Sequence, residues 1–567
     1  MRPFNLSERI LLIIFFVGMA RYLYGTTIQS GTDTYLYHFF YPATWIADGR
    51  ISRVPLLGLP HEYFPIYGEI FYGWMMIPFN NSSIAIFLQL ILLLAIGSAF
   101  LMIGEIFDVK RTACLAALDI MFYTRLISAN SVMGYSDVLN GVFLTLGFAL
   151  MLLSVERKDW RISILSGLIL GASASIKLIG LMLTPLLTAF FSIIFFCAKK
   201  KLRKNIIIMD IAAFFAALPC YLWNWIDTGN PFYPVKVCIA GLDIFPNGIV
   251  FDRPAAGLGK AAIELFFSEG IWGLNYVSLI FYGAVPFAAL AFAFFVKKTK
   301  ISGYVVISLA IAVIGLFLVQ IYYYPAMTGA RQFIPLIMLS SLLLIPFADS
   351  IRDTSFPFCA VIVFLICVVL NFTTWEKSAQ AVLILLLSIA LLAFLSGKLL
   401  RKAFPGIYLL PALYIPYCFT ISLEAKKVCY KYLLGPVAAE CFDIVMTDYE
   451  KGKKVIVASV GGWYNYMFLE YMPGNKVHYI PISSVNSAHV HDFSSFREMR
   501  ETPISYEIWL ERLKKANADY LLIDLSSETN GFYNKQQELS WVSGHPESFT
   551  KLIDDGLHIF CRIKNNE

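Results

Sequence analysis

Charge is scarce in this chain. Asp, Glu, Lys and Arg make up only 15% of its 567 residues, where a soluble protein carries about 25%, so water is not its main solvent. Closely spaced cysteines are missing as well. The ten Cys stand at 114, 197, 220, 238, 359, 367, 418, 429, 441 and 561, with no CxxC pair and no His grouped beside them, which removes the zinc and dithiol-redox readings. Only Cys429, Cys441 and Cys561 fall in the C-terminal tail; they leave room for one disulfide in an oxidising compartment, with scattered apolar thiols as the plainer reading. Neither an internal repeat nor a low-complexity segment is present. The net charge of +6 gives no reason to expect a nucleic-acid partner, because insertion into a bilayer itself decides where basic residues sit.

What the chain has instead is apolar length. Hydrophobic residues reach 58%, and stretches long enough to cross a bilayer begin near Ile10, Ile84, Thr112, Val138, Ile162, Ile179, Ile206, Trp272, Ser302, Gln332, Phe356, Ala379 and Ile407. The composition therefore predicts an all-α polytopic membrane protein of about 13 transmembrane helices followed by a soluble α/β domain. The apolar run after Arg9 continues through Arg21-Tyr22-Leu23-Tyr24 with no small-residue cleavage site, so it reads as an uncleaved first helix. The stretch from Ile162 to Phe196 is too long for one span and is divided at Lys177.

Orientation follows from the basic residues. Loops on the side of the N-terminus hold nineteen Lys and Arg, among them Lys199, Lys200, Lys201, Arg203 and Lys204, whereas the short loops opposite hold only Lys177, Arg331 and Lys377. Basic residues in short loops stay in the cytoplasm, so an odd number of spans puts residues from 425 onward outside it. The division is then a membrane domain over 1–424 and an extracytoplasmic α/β domain over 425–567, in the inner membrane if the source is bacterial. The outer face also carries long loops over 29–83 and 226–271. Loops of that length tend to be functional, which makes the outer face the working one. In the tail, strands are expected at Lys454–Ser459, Val477–Ile482, Asp519–Leu525 and Leu557–Ile563, with helices from Trp463 to about Tyr471 and from Glu507 to Ala516.

Candidate chemistry sits at the edges of the spans, where ionisable groups are costly and functional by default. The first outer loop opens Gly31-Thr32-Asp33-Thr34-Tyr35-Leu36-Tyr37-His38. Asp33 reads equally as a general base or as the N-cap of an amphipathic surface helix over 34–47. His61 and Glu62, in Pro60-His61-Glu62-Tyr63-Phe64-Pro65, suit sugar binding, acid–base work or a metal, with a hydrated loop as the plainer reading. Asp137, in Met133-Gly134-Tyr135-Ser136-Asp137, is either a second acid facing the same cavity as Asp33 or a helix cap. Lys177 and Arg331 are lone cations of the outer face, suited to the phosphate of a lipid-linked substrate or to snorkelling toward headgroups. Arg253 is a weaker candidate of the same kind.

These residues together resemble the GT-C superfamily of polytopic glycosyltransferases that use polyprenyl-phosphate sugars, within it the bacterial relatives of protein mannosyltransferases and aminoarabinose transferases. The resemblance lies in Gly31-Thr32-Asp33-Thr34-Tyr35, in Tyr63-Phe64-Pro65, in the Lys177 hairpin, in the segment from Asn224 to Pro234, and in Ala330-Arg331-Gln332-Phe333-Ile334-Pro335. It implies transfer of a sugar to an acceptor hydroxyl on the outer face, with inversion. Asp33 would be the base, Asp137 a second catalytic acid, and Arg331, Lys177 and Arg253 the phosphate ligands. Tyr35, His38, His61, Glu62 and Tyr63 would contact substrate. Many relatives carry two adjacent acids where this chain has Asp33 followed by Thr34, so no cofactor is expected and a divalent metal has no support. The competing readings are a lipid-linked glycan ligase and a polytopic transporter or flippase; the latter folds commonly show repeats, which this sequence lacks.

Overall fold

The computed structural model of the chain describes residues 8–9, 11–12, 15, 33–54, 60–78, 82–122, 124, 126–127, 130–131, 134–198, 203–239, 242–248, 284–290, 302–323, 330–346, 436–460, 465–470, 472–480, 505–524 and 536–564. The spans expected from Phe356, Ala379 and Ile407 lie outside the described residues, and so does Arg253. In chain order the helices are α1 (Phe40–Asp48), α2 (Tyr67–Met76), α3 (Ser82–Phe107), α4 (Arg111–Phe122), α5 (Ser136–Arg157), α6 (Trp160–Ala174), α7 (Leu178–Ala198), α8 (Arg203–Thr228), α9 (Ser302–Tyr323), α10 (Ile334–Ser341), α11 (Pro436–Glu450), α12 (Tyr506–Lys515) and α13 (Gln536–Gly544). The strands are β1 (Val237–Ile239), β2 (Leu242–Phe245), β3 (Ile456–Val460), β4 (Lys476–Tyr479), β5 (Tyr520–Asp524), β6 (Phe549–Asp554) and β7 (His558–Ile563).

Two compact units share these elements. One comprises Met1–Thr26, Phe87–Leu222 and Val250–Pro416; the other comprises Thr27–Ile86, Trp223–Ile249 and Tyr417–Glu567. The tail thus clusters with the segments Thr27–Ile86 and Trp223–Ile249, which hold the first long loop and part of the second.

In the membrane unit, Ser136–Arg157, Leu178–Cys197 and Arg203–Thr228 are each long and apolar enough to cross a bilayer. The long apolar stretch after Ile162 does break beside Lys177: α6 ends at Ala174 and α7 begins at Leu178. Asp159 caps α6 by accepting a hydrogen bond from the Arg161 amide. Gly167 and Gly171, four residues apart, then let α6 meet α8 backbone to backbone. A Cβ on either would overlap the carbonyl oxygen of Met209 or Ala213 and crowd the Cβ of Ala212 or Ala216. Small residues at that spacing hold membrane helices together by close packing, since lipid offers no hydrophobic drive.

In the other unit the tail forms a five-stranded sheet in the order β4-β3-β5-β7-β6. Strands β4, β3 and β5 are parallel, and the hairpin β6–β7 adds antiparallel to β5. All five residues of β5 are buried, as expected of a central strand covered on both faces. Ser505 starts α12 by accepting from the Ile508 amide, and Arg512, Lys514 and Lys515 in its last turn complement the helix dipole. That helix places Trp509 and Leu513 in a core with Leu521, Ile523, Val542 and Phe549. The helix expected from Trp463 is, over the described residues, a single 3-10 turn at Asn465–Phe468, and α11, α13 and β6 are additions to the expected elements. Cys441 and Cys561 are both free, and burial pushes their thiols up, to about 12 and about 11 respectively.

The surface helix expected over 34–47 is also corrected. Thr34–His38 is a π-turn, closed by a hydrogen bond from the Phe39 amide to the Thr34 carbonyl (2.9 Å), and it leads into α1. Every residue from Thr34 to Trp45 is buried, so the segment has no solvent-facing or lipid-facing side over that length. The wet face of the amphipathic pattern is covered by other parts of the same unit.

Replacing Gly171 with Leu should separate α6 from α8 and cost about 1–3 kcal/mol or more. The loss would be read as a lower unfolding temperature in detergent, while Ala at Gly315 of α9, which has open space around it, should leave the α6–α8 contact intact.

Candidate active site

Asp33 stands at the N-cap of the π-turn in helical conformation (φ −61°, ψ −26°), and its side chain makes no capping hydrogen bond. The cap reading of Asp33 therefore has no geometric support. Single π-turns are frequent at functional sites because they re-aim the residues around them. The rest of the turn is anchored rather than open. Tyr35 is buried and stacked on Tyr466 (5.9 Å between centroids), while His38 Nδ1 lies 2.6 Å from Glu69 Oε1 in a buried pair between the π-turn and the first turn of α2. Neither side chain is presented to a ligand in this structure.

Arg53, which the sequence gives no reason to single out, is the centre of the next layer. Its Nε donates to Asp227 Oδ2 (3.0 Å), Nη2 to Asn224 Oδ1 (2.6 Å) and Nη1 to the Glu62 carbonyl. Its guanidinium also lies over Trp223 (4.1 Å) and Tyr63 (4.7 Å). A planar fork with five donors can hold three acceptors and two rings together in a way that lysine cannot. Asn224, 2% exposed, completes the clamp by donating to the carbonyls of Tyr63 and Tyr233. The first long loop is thus fastened to the end of α8 by side chains 171 and 174 positions apart, a pairing that local sequence pattern does not reveal.

Glu62 and Tyr63, expected to touch substrate, sit in this layer. The Glu62 carboxyl is buried, its Oε2 makes no hydrogen bond, and burial raises its pKa to about 8, against smaller lowering by a backbone hydrogen bond and by Arg53. It is therefore mostly protonated at neutral pH and available as a donor. The side chain faces a narrow recess with Tyr41, Trp45, Arg53, Ile66 and Trp223. Desolvation likewise pushes Tyr63 up to about 12, with Glu62 adding to it. His61 stacks on Tyr37 (4.8 Å) and meets the edge of Phe64. Among the described residues no three His, Cys, Asp or Glu side chains are grouped to hold a metal ion.

The membrane unit carries the other candidates. Asp137, fully buried in the first turn of α5, accepts from Lys177 Nζ at 2.6 Å. Asp137 and Lys177, read separately as acid and phosphate ligand, are one ion pair, and each limits what the other can do alone. Asn140, one turn further along α5, engages the hairpin that presents Lys177. With its amide in the orientation that satisfies both ends, it donates to the Ser173 carbonyl and hydroxyl and accepts from the Gly180 amide. Thr184 also donates to the Ser173 hydroxyl. Arg331, in the 3-10 turn Ala330–Phe333 ahead of α10, lies over the Tyr135 ring at 4.2 Å. Pro335 and Met338 of α10 pack against Gly141 of α5. The start of α5 accordingly gathers two cations against one carboxylate, at the positive end of a 22-residue helix dipole.

No protein-family model matches the chain, and no curated protein matches its sequence. Solved structures do. The chain is similar to ArnT from Cupriavidus metallidurans in the apo state, with a TM-score of 0.56 and 13% identity over 97% of each chain. It is similar also to that ArnT bound to undecaprenyl phosphate, with a TM-score of 0.54 and 13% identity over 98% of this chain and 97% of the other. An oligosaccharyltransferase from Archaeoglobus fulgidus, tethered with an acceptor peptide, aligns more loosely: 13% identity, a TM-score of 0.47, and 99% of this chain on 74% of that one. The chain has the fold of ArnT along nearly its whole length.

Arg53→Ala should leave Asn224 and the Glu62 carbonyl without their donor and cost about 2–4 kcal/mol. Lys at 53 should recover little of it, both variants being scored by unfolding temperature and by proteolysis within 33–78. For Glu62 the native state binds the proton more tightly than the unfolded chain, whose pKa is near 4.5. Its contribution is fully present below about pH 4.5 and is lost as pH rises through about 8. Glu62→Gln, which cannot ionise, should flatten the stability profile between pH 5 and 9 and be the more stable form at the alkaline end.

Proposed function

We propose that this chain, which has the fold of ArnT, is a GT-C glycosyltransferase that moves a sugar from a polyprenyl-phosphate donor to an acceptor hydroxyl on the outer face of the membrane. The observation that carries the reading is the pair of cations gathered at the start of α5, Arg331 on Tyr135 and Lys177 on Asp137, in a chain whose structural relative binds undecaprenyl phosphate. Two positive charges, one carboxylate and a helix N-terminus leave a net positive end suited to a lipid phosphate. The basic-residue asymmetry of the loops supports a topology of about 13 spans with the tail outside the cytoplasm.

In this reading Asp33 is the general base. Its carboxylate takes the proton from the acceptor hydroxyl as that oxygen attacks the anomeric carbon, and the bond from that carbon to the phosphate oxygen breaks on the opposite side, inverting the centre. The polyprenyl phosphate departs with the bonding electron pair. Arg331 stabilises the charge that develops on its oxygens, with Lys177 as the second cation. Asp137 acts through Lys177, holding the ammonium in place, and is a positioning residue more than a second acid. The π-turn that follows Asp33 supports the base assignment, since such turns are frequent at functional sites. Glu62, mostly protonated at pH 7, suits a hydrogen bond donated to a sugar hydroxyl. Sugar and acceptor identity are set by contacts of this kind, which the assay below addresses through the donor.

The test is transfer from a panel of radiolabelled undecaprenyl-phosphate sugars by the purified protein in lipid. Release of undecaprenyl phosphate is expected with at least one donor and is expected to vanish in Asp33→Asn without loss of folded protein; full activity in that variant would sink the base assignment. Arg331→Ala should raise donor KM or lower kcat by a factor of about 10²–10³. Lys177→Ala should do the same and also destabilise the fold by about 3–5 kcal/mol through the stranded Asp137.

A further inference from the structure

Within the unit that holds the tail, two sets of ring contacts, joined by the 3-10 turn Asn465–Phe468, lead from the sheet to the Asp33 turn. Phe560 of β7 stacks on Tyr520 of β5 (5.1 Å, 10°) and on Phe468 (6.2 Å, 6°). Phe468 closes the 3-10 turn Asn465–Phe468, whose second residue is Tyr466. Tyr466 is 0% exposed and lies against Tyr35 (5.9 Å, 24°), the second residue of the π-turn, and Phe39 (5.7 Å, 60°), which follows it. Phe39 in turn meets the edge of Tyr72 in α2. A second tie runs parallel to the first, from Lys476 of β4 to Asp48 at the end of α1 (2.7 Å).

From this packing we propose that the C-terminal domain serves the reaction as a buttress, with Tyr466 a positioning residue that fixes the Asp33 turn through Tyr35 and Phe39. The inference rests on the reading of Asp33 as general base. A π-turn of five residues has poor intrinsic stability and persists only where its surroundings over-determine it. Here the surroundings are Tyr466 on one side and the His38 contact with Glu69 on the other. A base must hold its carboxylate within a few tenths of an ångström of the productive place, and a misplacement of about 1 Å costs on the order of a hundredfold in rate. Through Tyr466 the tail accordingly has a task in the reaction.

Amide exchange and turnover in the full-length protein in lipid separate this proposal from the one beneath it. Tyr466→Leu keeps apolar bulk and loses the ring faces. It should speed hydrogen exchange at residues 34–40 by about tenfold or more while leaving 144–153 of α5 unchanged, and Tyr466→Phe should match the parent chain. Unchanged exchange at 34–40 in Tyr466→Leu overturns the buttress. With radiolabelled undecaprenyl-phosphate sugars, Tyr466→Leu should lower kcat about tenfold at unchanged donor KM, and Tyr466→Phe should restore it. Faster exchange with kcat unaltered overturns the positioning role. Full transfer by Asp33→Asn would fell the base reading and the catalytic half of this inference, and the exchange result would then decide the buttress by itself. The charge-swapped pair Asp48→Lys with Lys476→Asp should behave as the parent chain where either single change speeds exchange; failure of that rescue counts against the second tie.

Discussion

Charge buried among apolar groups is too costly to keep unless it finds a partner or gives up its ionisation, and that constraint shapes both units of this protein. Lys177 lies against Asp137, His38 against Glu69, and Arg53 against Asp227, Asn224 and the Glu62 carbonyl. Glu62, whose Oε2 makes no hydrogen bond, escapes by holding its proton. Each pairing also fixes backbone. Lys177 draws the α6–α7 hairpin to the start of α5, His38 ties the π-turn to α2, and Arg53 fastens the first outer loop to the end of α8.

The same pairings arrange the chemistry. In the membrane unit, Asp137 holds the Lys177 ammonium and the Arg331 guanidinium lies over the Tyr135 ring, so both cations are fixed at the start of α5. In the other unit, the turn that follows Asp33 is held by aromatic packing, Tyr35 and Phe39 both lying against Tyr466.

Much of the architecture was legible in the sequence because its cause is local. Apolar length predicts spans, and the break at Lys177 follows from the bilayer's thickness, as α6 and α7 bear out. Period and turn chemistry located β3, β4, β5, β7 and α12 to within a residue or two in most cases. The amphipathic expectation for 34–47 failed for the opposite reason. Polar positions such as Thr34, His38 and Thr44 look like a wet face until Glu69, Tyr466 and the rest of the unit cover them, and coverage from hundreds of positions away leaves no trace in a short window.

The site divides along the same line. By itself the sequence determined that the chain is a membrane protein and singled out Asp33, Asp137, Lys177 and Arg331 as ionisable residues beside apolar stretches, because hydropathy and charge act residue by residue. Only the tertiary structure decided that Asp137 and Lys177 are one pair, that Arg53 clamps the first long loop to the end of α8, and that the tail's Tyr466 backs the turn that carries Asp33. Those contacts join residues 40, 171 or 174, and more than 400 positions apart, and their strength comes from desolvation and close packing, which exist only once the chain has folded.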